Sequence, residues 1–190
     1  MPSSSDISNA FFQYEGLKDT VATLHENQIR FAGAGETEQE AFAPAIFPLS
    51  VGHRLVVASF GDQSSGVFES WAAKGDRGGV NYIQLDGQQS VLRVKAQLDR
   101  VRQPGDIVVA SIHQGSNWGY AIDREFIPFA KSLIDIAKVD VLHCHSSHHF
   151  KGISVYKSKL IIWGCGDFLT DYEGIRNQST DSQRARDAYE

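Results

Sequence analysis

The chain holds only two cysteines, Cys144 and Cys165, in 190 residues. That excludes the dense disulfide framework of small secreted domains, and a chain of this length can bury enough surface to fold without staples. No apolar run approaches the ~18 residues of a membrane span. The opening Met1-Pro2-Ser3-Ser4-Ser5-Asp6 has neither a basic start nor an apolar core, so it does not read as a signal peptide. Together with the few cysteines, this predicts a reducing, cytoplasmic setting. Basic residues are also scarce: 18 Lys and Arg stand against 23 Asp and Glu, a net charge of -5. Without a Lys/Arg stripe to neutralise phosphates, a nucleic-acid partner is not expected. Repeats, low-complexity tracts and Pro/Gly-rich linkers are missing, which leaves one domain by length. At 42% hydrophobic residues the composition excludes general disorder.

What is present is an alternation of helix and strand patterns. Leu17, Val21 and Leu24 fall at helical spacing between Gly16 and Gln28. Ile29–Ala32 reads as a short strand, Gly33-Ala34-Gly35 as a turn, and Glu36–Phe42 as a short helix stopped by Pro44. Leu55–Phe60 and Ile107–Ile112 are nearly continuous apolar runs, the pattern of strands buried on both faces. Gly61–Gly79 is loop-rich, with Trp71 to pack it down. Ser90–Arg102 is amphipathic, with Val91, Val94, Leu98 and Val101 on one face. Asp123 can cap a helix carrying Phe126, Ile127, Phe129, Ala130, Leu133, Ile134 and Ala137, regular from about Pro128. Val139–His143, Ile153–Tyr156 and Leu160–Gly164 are further strands, the last two joined by a Lys157-Ser158-Lys159 turn. Strands alternating with helices predict an α/β sheet domain.

Four of the seven histidines lie in one window, His143-Cys144-His145-Ser146-Ser147-His148-His149. The window overlaps a strand end, and the strand ending at Ile112 delivers His113 at its own carboxyl end. Open α/β sheets bind ligands outside the carboxyl ends of their strands. Neighbouring strands can therefore set His113, His145 and His148 around one point, and three neutral imidazoles suit a divalent transition metal such as Mn, Zn or Fe. The same window admits a structural reading, in which the imidazoles bond backbone carbonyls. His143 sits on the strand and reads as a packed or supporting residue; Cys144 reads as a small core residue rather than a ligand. Candidate substrate contacts are Asn117, able to bond a substrate oxygen, and Trp118, either a wall or a core residue. Asp167 either orients a ligating histidine or caps a helix over Phe168–Tyr172.

Two runs carry a family resemblance: DIVVASIHQGSNWG, from Asp106 to Gly119, and VDVLHCHSSHHFKGISVYKSKLIIWGCGDFLTDYEGI, from Val139 to Ile175. They resemble the CapA family of capsule-synthesis and poly-gamma-glutamate biosynthesis proteins, related to calcineurin-like metallophosphoesterases. GLKDTVATLHENQIRFAGAG extends the likeness back to about Tyr14. The resemblance implies an α/β metallophosphoesterase-like sandwich of sheets flanked by helices. It also implies that His113, His145 and His148 are metal-binding and catalytic in a metal-dependent hydrolase, with a phosphoester or anionic polymer as substrate. The departures are specific. Gln114 stands where the family has tryptophan, Cys144 where it has glycine and Phe150 where it has proline. The family's Gly-Asp strand is missing, and Ile7–Phe12 lacks the Asn-Asn-His motif. The expectation is a lead-in over 1–13, the C-terminal part of the family domain over 14–175 without its first strands, and a polar tail over 176–190. With part of the metal site absent, a degenerate, non-catalytic member that binds a metal or an anionic polymer is the alternative.

Overall fold

The computed structural model describes residues 4–50, 52–85 and 87–167. Its elements run α1 (Ser4–Glu26), β1 (Ala34–Gly35), α2 (Glu38–Ala41), β2 (Ala45–Pro48), β3 (Arg54–Gly61), β4 (Gly79–Val80), α3 (Gln88–Asp99), β5 (Ile107–His113), α4 (Phe126–Asp135), β6 (Val141–His145), β7 (Ile153–Tyr156) and β8 (Lys159–Ile162). Six strands form one sheet in the order β2-β3-β5-β6-β8-β7, and β1 pairs with β4 in a small ribbon. The inner strands β3, β5, β6 and β8 are parallel; β2 and β7 are antiparallel edges. The α/β class, a multi-stranded sheet flanked by helices, is what the alternation of patterns predicts. No helix among the described residues is long and apolar enough to cross a membrane.

The crossovers follow the apolar periodicity. α3 carries β3 across to β5 and turns Val91, Val94 and Leu98 inward. α4 joins β5 to β6 and buries Phe126, Phe129, Ala130, Leu133 and Ile134. Pro128 sits in the first turn of α4, where its missing N–H has no intrahelical partner to lose. Asp123 accepts from the backbone N–H of Glu125 at 2.9 Å, just ahead of the helix. Both helices pack on one face of the sheet, against Val56, Ala58, Val108, Ala110, Ile112, Leu142, Cys144 and Ile161. At the sheet's amino-terminal end the Arg54 guanidinium forks onto Asp106, 2.8 and 2.7 Å, tying β3 to the turn that starts β5. That fork holds the Asp106 carboxyl below the usual carboxylate range.

Three local expectations differ from the structure. Ile29–Ala32 is not a strand. Both edges of β3 are taken, by β2 and β5, so the segment crosses the sheet instead, with Arg30 over the Phe47 ring at 5.6 Å. The expected turn at Gly33-Ala34-Gly35 supplies β1, whose glycine fits where a Cβ would meet the Ala41 nitrogen at 2.5 Å. β2 has no counterpart in the sequence reading, because prolines flank Ala45-Ile46-Phe47 on both sides; Pro48 is tolerated at an edge strand. α1 starts at Ser4 rather than Gly16, since one interior glycine costs only ~1 kcal/mol. The polar tail over 176–190 and the helix expected over Phe168–Tyr172 lie outside the described residues.

Leu142 is fully buried in β6 between β5 and β8. Leu142→Ala is expected to destabilise the domain by about 2–5 kcal/mol in urea unfolding. Val155→Ala, on the exposed edge strand β7, should fall within about 0.5 kcal/mol of the parent.

Candidate functional site

The parallel pairing of β5 with β6 sets Ser111 opposite His143 and His113 opposite His145. Side chains alternate along a strand, so these four share one face, while Ala110, Ile112, Leu142 and Cys144 point into the core on the other. The sequence specifies this directly, since V-A-S-I-H and L-H-C-H both alternate between core and cleft. His113 and His145 stack with ring centroids 5.2 Å apart and 11° between planes. His143 lies 5.6 Å from His145. The Ser111 hydroxyl bridges the two β6 imidazoles, 3.1 Å from His143 Nδ1 and 3.4 Å from His145 Nδ1.

The third expected histidine arrives on the loop after β6. The His148 backbone N–H donates to the Asn117 carbonyl at 3.1 Å, its ring stacks on Trp118 at 5.8 Å, and its Nδ1 lies 3.0 Å from Asp167 Oδ2. Gly166, at φ +72° and packed against the backbone of His149 and Phe150, turns Asp167 back toward that ring. A cleft of about 630 Å³ results, lined by Ser111, His113, His143, His145, Ser146, Ser147, His148 and Cys165–Asp167.

Each sequence-predicted residue has a definite place. His113, His145, His148 and Asp167 line the cleft. Asn117 and Trp118 do not. The Asn117 Oδ1 accepts from Ser146 at 3.5 Å, and Trp118 is 40% exposed with its ring against His148. Trp118 is therefore not a core residue; it holds His148 from outside. Asp167 lies with its Oδ2 3.0 Å from His148 Nδ1. Cys144 is in the core, its thiol pushed up to about 12 by burial.

Sequence reasoning passed over Ser111 and Asp62, and gave His143 a packed or supporting place on its strand. For Ser111 and His143 the signal was the period of two, which puts them on the face of His113 and His145. Asp62, just past β3, is buried and spends its carboxylate on Ser64, accepting from the backbone N–H at 3.2 Å and the hydroxyl at 2.8 Å. It reads as a turn residue in sequence, and only the fold brings it to the end of β5, where its N–H donates to the His113 carbonyl at 3.3 Å.

Burial sets the electrostatics. It lowers His113 and His143, with the Asp62 charge partly opposing the shift at His113. Burial, then the His113 and His143 rings, push His145 down to about 4. Burial also raises the Cys165 thiol. At neutral pH the β5–β6 imidazoles are therefore neutral, with lone pairs free for a hydrogen-bond donor or a metal. As a donor set they fit a divalent transition metal chemically. Their arrangement does not close a coordination sphere: among the described residues no group of three or more His, Cys, Asp or Glu is placed to hold an ion.

A parallel α/β sheet with histidines delivered at the carboxyl ends of adjacent strands defines the class of domain. The family description "Bacterial capsule synthesis protein PGA_cap" matches residues 12–172, and the chain belongs to that family. It is 47% identical over 167 residues to a "Probable polyglutamine synthesis accessory protein" of Mycobacterium tuberculosis, covering 86% of this chain and 43% of that protein. It is 25% identical over 170 residues to "Capsule biosynthesis protein CapA" of Bacillus anthracis, covering 87% of this chain and 39% of that one. The chain thus spans less than half the length of these curated relatives.

The lowered histidines fix the sign of a pH effect. The unfolded chain protonates His145 near ~6.5, whereas the folded chain does so only near about 4. Their contribution is fully present above pH ~6.5 and is lost as pH falls through the window down to about 4. Thermal melts between pH 7 and pH 4 should show a falling midpoint, and His145→Gln should flatten that fall.

Proposed function

We propose that this chain serves in the synthesis of a capsular glutamate polymer, with the histidine cleft as its working site. The family membership supports the role. The cleft carries the site assignment through one observation: His113 and His145 face each other in register while His148 is held between Trp118 and Asp167. In this reading His113, His145 and His148 bind a divalent transition metal, Mn, Zn or Fe. Such an ion, when bound, polarises a phosphoryl or carbonyl oxygen and lowers the pKa of water. The protein's own part is orientation. His148 donates from Nδ1 to Asp167, which fixes its tautomer with the proton on Nδ1. Ser111 does the same for the β6 pair, donating to one imidazole and accepting from the other. Asn117 and Trp118 act through His148, by anchoring its backbone and stacking on its ring. Two free thiols support a reducing, cytoplasmic location.

A second reading has the cleft bind an anionic polymer or a metal without turnover. It is favoured by the placement of the side chains: among the described residues no group of three or more His, Cys, Asp or Glu is set to hold an ion. Bridging oxygen ligands are what two-metal hydrolysis requires. Weak or absent turnover of a generic phosphoester by this chain is accordingly expected.

Thermal melts with Zn or Mn test the metal assignment. At a hundredfold excess over Kd an ion that binds only the folded state stabilises it by about 2.7 kcal/mol. His148→Ala should abolish most of that gain, and acid should erode it as protons compete for the ring nitrogens. His25→Ala should leave it intact, because His25 is on α1 and bonded to Glu40 at 2.9 Å. Equal midpoints with and without metal at neutral pH would reject the metal site. Brisk phosphoester turnover lost in His145→Ala would reject the non-catalytic reading.

A further inference from the structure

Away from the histidine cleft, a second cavity of about 390 Å³ opens where α2, the Glu69–Trp71 turn and the first turns of α3 come together. The two share no lining residue. Part of the second lining is apolar: Ala72 and Ala73 are buried and Phe42 is half-buried. The rest carries both signs of charge, Lys74 and Arg93 against Glu38 and Glu69.

Arg93 is a cation whose hydrogen-bonding capacity the fold uses only in part. Its guanidinium lies over the Phe42 ring at 5.0 Å. Nη2 donates to the Tyr82 carbonyl and, at 3.5 Å, to Oδ1 of the buried Asn81. Nε and Nη1 donate to none of the described residues, and no carboxylate among them forms an ion pair with Arg93. Loss of water around the guanidinium lowers its pKa, and the Glu38 charge opposes that shift only in part. The contrast is Arg54, which closes its fork on both oxygens of Asp106. A partly desolvated guanidinium with Nε–H and Nη1–H groups to spare is a receptor for a carboxylate, which accepts charge-assisted bonds from them.

The other charges select among anions. The four charges of the described lining cancel, so a phosphate or a polyanion meets as much repulsion as attraction. Glu38 gives one oxygen to the Gly75 N–H at 3.0 Å. The exposed Glu69 carboxylate makes no hydrogen bond or ion pair among the described residues. A ligand with one carboxylate and one ammonium satisfies both Arg93 and Glu69. Ala72, Ala73 and Phe42 offer apolar contact to the remainder of such a ligand.

We propose that this cavity binds a free α-amino acid with an apolar side chain, its carboxylate on Arg93 and its ammonium on Glu69. The proposal holds whatever the histidine cleft binds.

The test is titration of the 190-residue chain with L-leucine, read by calorimetry and by the Arg93 Nε–H signal in nitrogen–proton NMR. The expected result is saturable one-to-one binding that shifts this signal. L-Leucinamide lacks the carboxylate and N-acetyl-L-leucine lacks the ammonium, so each should bind about tenfold more weakly or worse. Glu69→Gln should weaken L-leucine by about tenfold while leaving N-acetyl-L-leucine unchanged. Arg93→Lys, which keeps the charge but not the planar donor group, should also cost about tenfold with the parent's circular dichroism intact. His148→Ala, in the other cleft, should bind L-leucine like the parent. Any of four results would overturn the proposal: no saturable response to L-leucine, equal binding of N-acetyl-L-leucine, an affinity untouched by Glu69→Gln, or binding lost in His148→Ala. A response to inorganic phosphate in place of L-leucine would make the cavity a plain anion site and overturn it as well.

Discussion

The parallel pairing of β5 with β6 is the constraint on which the rest depends. Its register places His113 beside His145 and Ser111 beside His143. A slip of one residue would turn these side chains into the core and bring Ile112 and Cys144 out. The register is held by what lies on the other face, where Ala110, Ile112, Leu142 and Cys144 are all fully buried under α3 and α4. Core packing and site geometry are therefore one property of the same two strands, seen from opposite sides. The loops that follow each strand complete the arrangement: the backbone bond from His148 to Asn117 joins them directly.

Burial also sets the chemistry. The imidazoles stand on a half-covered sheet face, close enough to disfavour one another's protonation, and this keeps His145 neutral far below its ordinary range. Asp62 opposes the effect at His113. His148 differs from the strand histidines in how it is held. It has a carboxylate partner and an aromatic neighbour, supplied by two separate loops. A rigid neutral pair on strands and an oriented imidazole on a loop give the cleft one fixed side and one side placed by surface loops.

Much of this was legible in the sequence. The apolar runs at Leu55–Phe60 and Ile107–Ile112 located the inner strands, and the histidine window located the cleft, because strand ends and chemistry coincide in an α/β sheet. His143 was read as a packed or supporting residue from its place in a strand; its distance of two from His145 is what puts it on the cleft face. Asp62 was not legible, since its nearness to His113 is set by pairing across 51 residues of chain. β2 was obscured by its flanking prolines. The apolar runs themselves predicted strands covered on both faces; among the described residues Val108, Ala110 and Ile112 of β5 are fully buried, whereas Val109, on the opposite face, is only partly buried.

The most direct test of the account is imidazole-resolved NMR of the metal-free protein across pH. A nuclear Overhauser contact is expected between the His113 and His145 rings, whose centroids are 5.2 Å apart. The His145 titration midpoint is expected at about 4. A His145 ring that titrates near ~6.5 like a free imidazole, with no contact to His113, would contradict it.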